Sequence, residues 1–173
     1  MRRVILFNLV LTIALSSNYA LAQQRHPTGL KPATRDQLRG VPLASTPYSG
    51  MELPKSADLS KDMPPPGQQG QEESCVGWAT AYAVKSFEEK IEEKWSYFDQ
   101  DGQLVLDDVF SPSFIYNQIN NGRDGGCSYI DALNLLSDAG SATLNDMPYH
   151  DGDISSKPSD DAMQHAKRYR IDT

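Results

Sequence analysis

The 173-residue sequence predicts an α+β fold that is mainly helical over the residues present. Three observations predict it. Four stretches, beginning near Cys75, Ser111, Ser128 and Ser159, join helix-start residues to apolar positions at helical spacing. A hairpin signal, Asp101-Gly102, lies between Tyr97-Phe98 and Leu104-Val105-Leu106. Arg170-Ile171-Asp172-Thr173 reads as the opening of a strand.

The chain opens with a segment that is not fold. Arg2-Arg3, an apolar run from Val4 to Leu15, and Ala20-Leu21-Ala22 form the three parts of a secretory signal peptide over residues 1–22. The apolar run is too short for a comfortable membrane span. The expectation is an exported protein, periplasmic or extracellular, with no membrane association after cleavage. Cleavage removes two positive charges and takes the formal net charge from −7 to −9. An acidic chain without a basic, aromatic-interleaved stripe excludes nucleic acid as a partner.

Residues 23–50 are polar, with Pro27, Pro32, Pro42 and Pro47 and little periodicity, and read as a linker or short pro-segment. A Pro-rich lead-in follows, ending in the stiff loop Pro64-Pro65-Pro66-Gly67. The first helix is expected from about Cys75 to about Lys94. Ser74 is its candidate N-cap, and Val76, Ala79, Ala83, Phe87 and Ile91 form one apolar face. Glu88, Glu89, Glu92 and Glu93, mixed with Lys90 and Lys94, read as a solvated far end.

The second helix starts at Ser111-Pro112, a cap followed by proline at the first helical position, and stops at Gly122. Phe114, Ile115, Gln118 and Ile119 are its expected buried side. The third runs from Ser128 to Gly140, with Ile130, Ala132, Leu133 and Leu136 as its core stripe. An acidic loop, 151–161, leads to a fourth helix over about Ser159 to Tyr169. A calcium loop around Gly102 is excluded, because Tyr97 falls where the first oxygen ligand is required. No metal and no cofactor is expected.

The most specific feature is Gln69-Gly70-Gln71-Glu72-Glu73-Ser74-Cys75-Val76-Gly77-Trp78-Ala79. A thiol at a helix N-terminus meets unpaired N–H groups and the positive end of the dipole, which favour thiolate, the nucleophilic form. The side-chain amide of Gln69, six residues upstream, is of a kind that donates to a developing oxyanion. The bland alternative is a disulfide between the chain's two cysteines, Cys75 and Cys127, which an oxidising compartment permits and which would silence the nucleophile.

These residues resemble the active-site segment of papain-like cysteine peptidases, in the bacterial-type branch. Leu53-Pro54 to Ser60 looks like the start of the mature domain. Phe110-Ser111-Pro112-Ser113-Phe114 resembles a helix start of that family, and Gly125-Gly126, Ala132-Leu133, Gly140 and Met147-Pro148-Tyr149 follow in the family's order. The resemblance covers about residues 53–150. It implies that Cys75 is the nucleophile, that Gln69 with the Cys75 N–H forms the oxyanion hole, and that Gly125, Gly126, Cys127 and Trp78 line the substrate cleft. A polypeptide is then the substrate.

Three departures accompany it. The family's disulfide positions fall on Glu72 and Asp124, Trp78 is displaced from the position after the nucleophile, and the general base is missing. His26, His150 and His165 have no following Asn or Asp in a matching context. The resemblance therefore implies that residues 51–173 are the N-terminal, helical part of a peptidase domain, and that a missing β-rich half supplies His and Asn. The alternatives are an inactive peptide-binding protein and a structural domain with a Cys75–Cys127 bridge.

Overall fold

The computed structural model describes residues 28–39, 41 and 50–171. The expected signal peptide, His26, residues 42–49 and the last two residues of the strand opening lie outside the described residues. Among those described, no helix is long and apolar enough to cross a membrane.

Helix α1 is a single turn, Arg35–Leu38, capped by Thr34, whose hydroxyl accepts from the Gln37 N–H while Gln37 reaches back to the Thr34 N–H. Helix α2 is one continuous rod made of Cys75–Gly77, Trp78–Lys85 and Ser86–Glu93. It ends at Lys94, which takes left-handed backbone (φ 57°). Helices α3 (Pro112–Ile119), α4 (Tyr129–Asp138) and α5 (Asp160–Ala166) follow, each started by its expected serine cap: Ser111, Ser128 and Ser159.

The middle of α2, Trp78–Lys85, is π-helical. The Ser86 N–H reaches back five residues to the Ala81 carbonyl. Wider turns rotate the side chains away from a 3.6-residue period, and this overturns the expected apolar face. Val76 is fully buried, but Ala79, Ala83 and Phe87 are only half-buried and Ile91 is exposed. Thr80, Ala81, Lys85, Ser86 and Glu89 take the inner positions instead. Glu89 therefore leaves the expected solvated face. It is buried with Lys85, Nζ to Oε1 2.5 Å, an ion pair with both side chains under a tenth exposed.

Phe110, Phe114, Ile115 and Tyr116 fill the space between α2 and α4, with Ala132 and Leu136 from α4 and Ala162 and Ala166 from α5. Gly77 lets α2 cross close to α3, where an added Cβ would stand 2.6 Å from the Pro112 carbonyl oxygen. Leu133 departs from the expected α4 stripe: it is 43 % exposed, beside exposed Tyr129. Asn117 of α3 and Asn120 at its C-terminal cap donate to the carbonyls of Asp153, Ser156 and Ile154, and so order the acidic loop.

The β part of the expected α+β class is limited, among the described residues, to isolated bridges: Leu30 with Cys127, Phe98 with Leu104, and Phe110 with Thr143. The hairpin signal is accordingly a tight bridged turn. Asp99 accepts from the N–H groups of Asp101, Gly102 and Gln103, and two backbone bonds cross the turn, from the Asp99 N–H to the Gln103 carbonyl and from the Val105 N–H to the Tyr97 carbonyl. Residues 170–171 are irregular, with the Ile171 N–H reaching the Leu136 carbonyl.

Candidate active site

Cys75 is the first residue of α2 and is half-buried. Ser74 precedes it without capping the helix; its hydroxyl instead meets the Tyr149 hydroxyl at 2.9 Å. The Tyr149 O–H donates to the Gln69 carbonyl at 2.7 Å, so the Ser74 hydroxyl is the donor to Tyr149. This chain of bonds ties the loop before Cys75 to the Met147-Pro148-Tyr149 turn.

Carboxylates hold the same loop from two sides. Asp151 accepts from the N–H groups of Gln71 (3.0 Å) and Glu72 (3.1 Å), and Asp124 accepts from the Glu73 N–H at 2.8 Å and the Tyr116 hydroxyl at 2.7 Å. Glu72 is buried and accepts from the Gly152 N–H at 3.1 Å. Of the two positions where the resemblance would put a disulfide, Asp124 bonds the backbone of Glu73, the neighbour of Glu72, while Glu72 itself bonds Asp151 and Gly152. Burial raises the Glu72 carboxyl above its ordinary range, with Asp124 and Asp151 adding to it, against the Ser74 hydroxyl and the Gly152 N–H. Of the holding residues, Asp124 and Tyr149 lie at positions that the resemblance marks without this role, and Asp151 has only the Asp151-Gly152 turn as a local signal.

Gln69 is near the site, but its amide donates to the Glu72 carbonyl at 2.5 Å. The expected oxyanion donor is thus engaged within its own loop. Burial pushes the Cys75 thiol up, and Glu73 adds to this; the backbone N–H groups of Val76 and Cys75 pull the other way. Burial and Glu73 therefore oppose the ionisation expected of a thiol at a helix start. A helix start favours thiolate only where desolvation and a neighbouring carboxylate do not outweigh it. Cys127 is buried and pushed up to about 12, by burial first and then by Cys75 and Asp131. Both thiols are free, so the Cys75–Cys127 bridge is not formed.

The cleft side chains separate into two groups. Gly125, Gly126 and Cys127 lie on the side of Cys75 facing the N-terminal segment, where Gly126 is buried and the Cys127 backbone is hydrogen-bonded to residues 29 and 31. Trp78 lies one helical turn beyond Cys75, packed between Tyr82 (centroids 4.8 Å) and Tyr149 (4.9 Å), under Gly67. With Met63, Pro64 and Ala79 it lines an apolar hollow of ≈ 360 Å³ that reaches Cys75.

The Cys75 thiol donates to the carbonyl of Thr28, in a close contact that the sequence did not signal. Among the described residues no imidazole bonds Cys75. His165 Nδ1 pairs with Asp146 Oδ1 at 2.9 Å, and His150 accepts from the Asp153 N–H through its backbone carbonyl at 3.0 Å. The described residues hold no cluster of His, Cys, Asp or Glu suited to a metal ion.

A helical domain with a thiol at the start of its central helix is the arrangement of a papain-like cysteine protease, and a solved structure bears this out at the level of fold. Xylellain, a cysteine protease from Xylella fastidiosa, matches with a TM-score of 0.64 and 25 % sequence identity, over 88 % of this chain and 60 % of that one. This chain therefore spans about 60 % of the length of that protease. Neither a protein-family model nor a curated protein matches the sequence.

Proposed function

We propose that this chain carries the nucleophile-bearing part of a papain-like cysteine peptidase. The observation that carries the reading is the placement of Cys75, first on α2, in a groove whose other wall pairs with an extended peptide backbone at Cys127. Attack of the Cys75 sulfur on a peptide carbonyl would release the amine and leave an acyl-enzyme, which water then hydrolyses. For this Gln69 must turn from the Glu72 carbonyl toward the groove, and the thiol must lose its proton to a base.

That base comes from outside the described residues in this reading. The helix face running from Cys75 through Ala79, Ala83, Phe87 and Ile91, apolar yet only part-covered, is where a β-rich half bearing His and Asn would seat. Export through the signal peptide of residues 1–22 belongs to the same proposal and is checked by N-terminal sequencing of the secreted protein. Peptide binding without turnover is the second reading. It is favoured by one observation: the groove already holds a peptide segment, while no described imidazole bonds Cys75.

The test uses a peptidyl acyloxymethyl ketone, which alkylates only a thiolate placed to attack a bound carbonyl. Tandem mass spectrometry should find the peptide's mass on Cys75, absent in Cys75→Ser. Equal labelling of Cys75 and of free cysteine in solution would sink the peptidase reading and favour passive binding.

A further inference from the structure

Glu72 is a buried titratable group that the proposed reaction does not use. It is 1 % exposed, where the loop before Cys75 meets the turn after Tyr149. One carboxyl oxygen, Oε2, accepts from the Gly152 N–H at 3.1 Å. The other, Oε1, is buried and takes no hydrogen bond from the described residues. The Ser74 hydroxyl faces this carboxyl, but its hydrogen is engaged with Tyr149.

The charged groups around Glu72 share its sign. Asp151 accepts from the Gln71 and Glu72 N–H groups, and Asp124, between α3 and α4, accepts from the Glu73 N–H. Both carboxylates act on Glu72, and the Tyr149 phenol faces the same cluster. A carboxylate oxygen buried without a donor and beside two like charges is costly. A carboxylic acid in that place is not. Its O–H needs a lone pair, and the Ser74 oxygen has one to offer. Burial, which raises this carboxyl, acts in the same sense.

The direction of the bonds is set from the far end. The Tyr149 O–H donates to the Gln69 carbonyl at 2.7 Å, so Ser74 donates to Tyr149 at 2.9 Å, and Ser74 Oγ is left as an acceptor. We infer that Glu72 is a positioning residue that holds a proton: its Oε1–H donates to Ser74 Oγ, at the head of a one-way chain of hydroxyls that ends on Gln69 and keeps the oxyanion donor turned from the groove.

Loss of that proton to solvent reverses the chain. The carboxylate takes the Ser74 hydrogen, and Tyr149, no longer polarised by a donor, holds the Gln69 carbonyl less firmly. Asp151 and Asp124 then repel the residue whose carbonyl carries the Gln69 amide at 2.5 Å. The amide is released toward the groove. This bearing on the reaction rests on the reading of Cys75 as nucleophile and Gln69 as its oxyanion donor; the chain of hydroxyls does not.

The experiment uses the full chain from about pH 4 to about pH 8, as the parent, Glu72→Gln and Tyr149→Phe. Carbon-13 NMR follows the Glu72 carboxyl, and nitrogen-15 NMR follows the Gln69 side-chain amide. The rate of Cys75 labelling by a peptidyl acyloxymethyl ketone is divided by its rate with iodoacetamide. Both reagents need the thiolate, but only addition to the ketone draws on an oxyanion donor, so the ratio reports Gln69 apart from thiol ionisation. In the parent the Gln69 signals should shift with the midpoint of Glu72, and the ratio should climb about ten-fold through it. Glu72→Gln keeps a donor to Ser74 at every pH, so its ratio should stay low, within about two-fold across the range. Tyr149→Phe cuts the chain, so its ratio should be high at every pH. A Glu72 midpoint at or below the ordinary glutamate value of 4.5 overturns the inference. So do Gln69 signals that ignore Glu72, or a Glu72→Gln profile equal to the parent's. Labelling of Cys75 by both reagents no faster than that of free cysteine, with Gln69 still tracking Glu72, leaves the chain of hydroxyls standing and removes the peptidase reading.

Discussion

Glu72 and Lys85 are charged side chains in places where the sequence pattern puts none, and each sets a measurable property. The folded state holds the Glu72 proton more tightly than the unfolded chain does, chiefly through burial. Its contribution to stability is therefore full below the ordinary glutamate value of 4.5 and is lost as pH rises through the raised folded value. Glu72→Gln should raise Tm at pH 7 by about 2 °C or more and leave it within about 1 °C of the parent at pH 3.5, by scanning calorimetry. A gain of equal size at both pH values would show that burial of the charge is not the cause. Lys85 is only 6 % exposed and bonds Glu89. Lys85→Met strands a buried carboxylate and should cost about 3 kcal/mol in urea unfolding, while Lys85→Met with Glu89→Leu should recover most of that loss. A double variant as unstable as the single one would contradict the pairing.

Helix α2 is the element on which the site depends, and its packing is set at its first turn. Gly77 sits against the Pro112 carbonyl with no room for a methyl group. Gly77→Ala should destabilise the chain by about 1–3 kcal/mol through overpacking, although alanine is the better helix former, and the denaturation midpoint should fall without change in m. A midpoint equal to or above the parent's would mean that the α2–α3 crossing relaxes freely. Element starts were legible in the sequence because a serine at Ser111, Ser128 or Ser159 acts within its own turn: each accepts from an N–H three residues on. The inner face of α2 was not legible. A π-helical stretch changes the period on which amphipathic reading relies, and nothing local in Trp78-Ala79-Thr80-Ala81-Tyr82 announces it.

At the scale of the molecule, Val84, Leu133 and Tyr129 surround an apolar hollow between α2 and α4 that also reaches Ile171, and all three are more than two-fifths exposed. An exposed apolar patch of this kind should bind a hydrophobic dye in the native state at neutral pH. Val84→Glu with Leu133→Glu should abolish that fluorescence while leaving the circular dichroism unchanged; persistence of the signal would place the dye elsewhere. Low sequence identity with xylellain over most of this chain accompanies a shared fold.

The sequence by itself determined the helices, the serine caps of α3, α4 and α5 and the position of Cys75 at a helix start, since each is written in neighbouring residues or in spacing along one helix. Only the tertiary structure decided the state of that thiol. The Thr28 carbonyl lies on it from 47 residues away, the Gln69 amide is drawn onto Glu72, and burial with Glu73 outweighs the backbone N–H groups at the helix start. Ionisation and access depend on what packs around an atom, and contacts between distant segments leave no local trace in the chain.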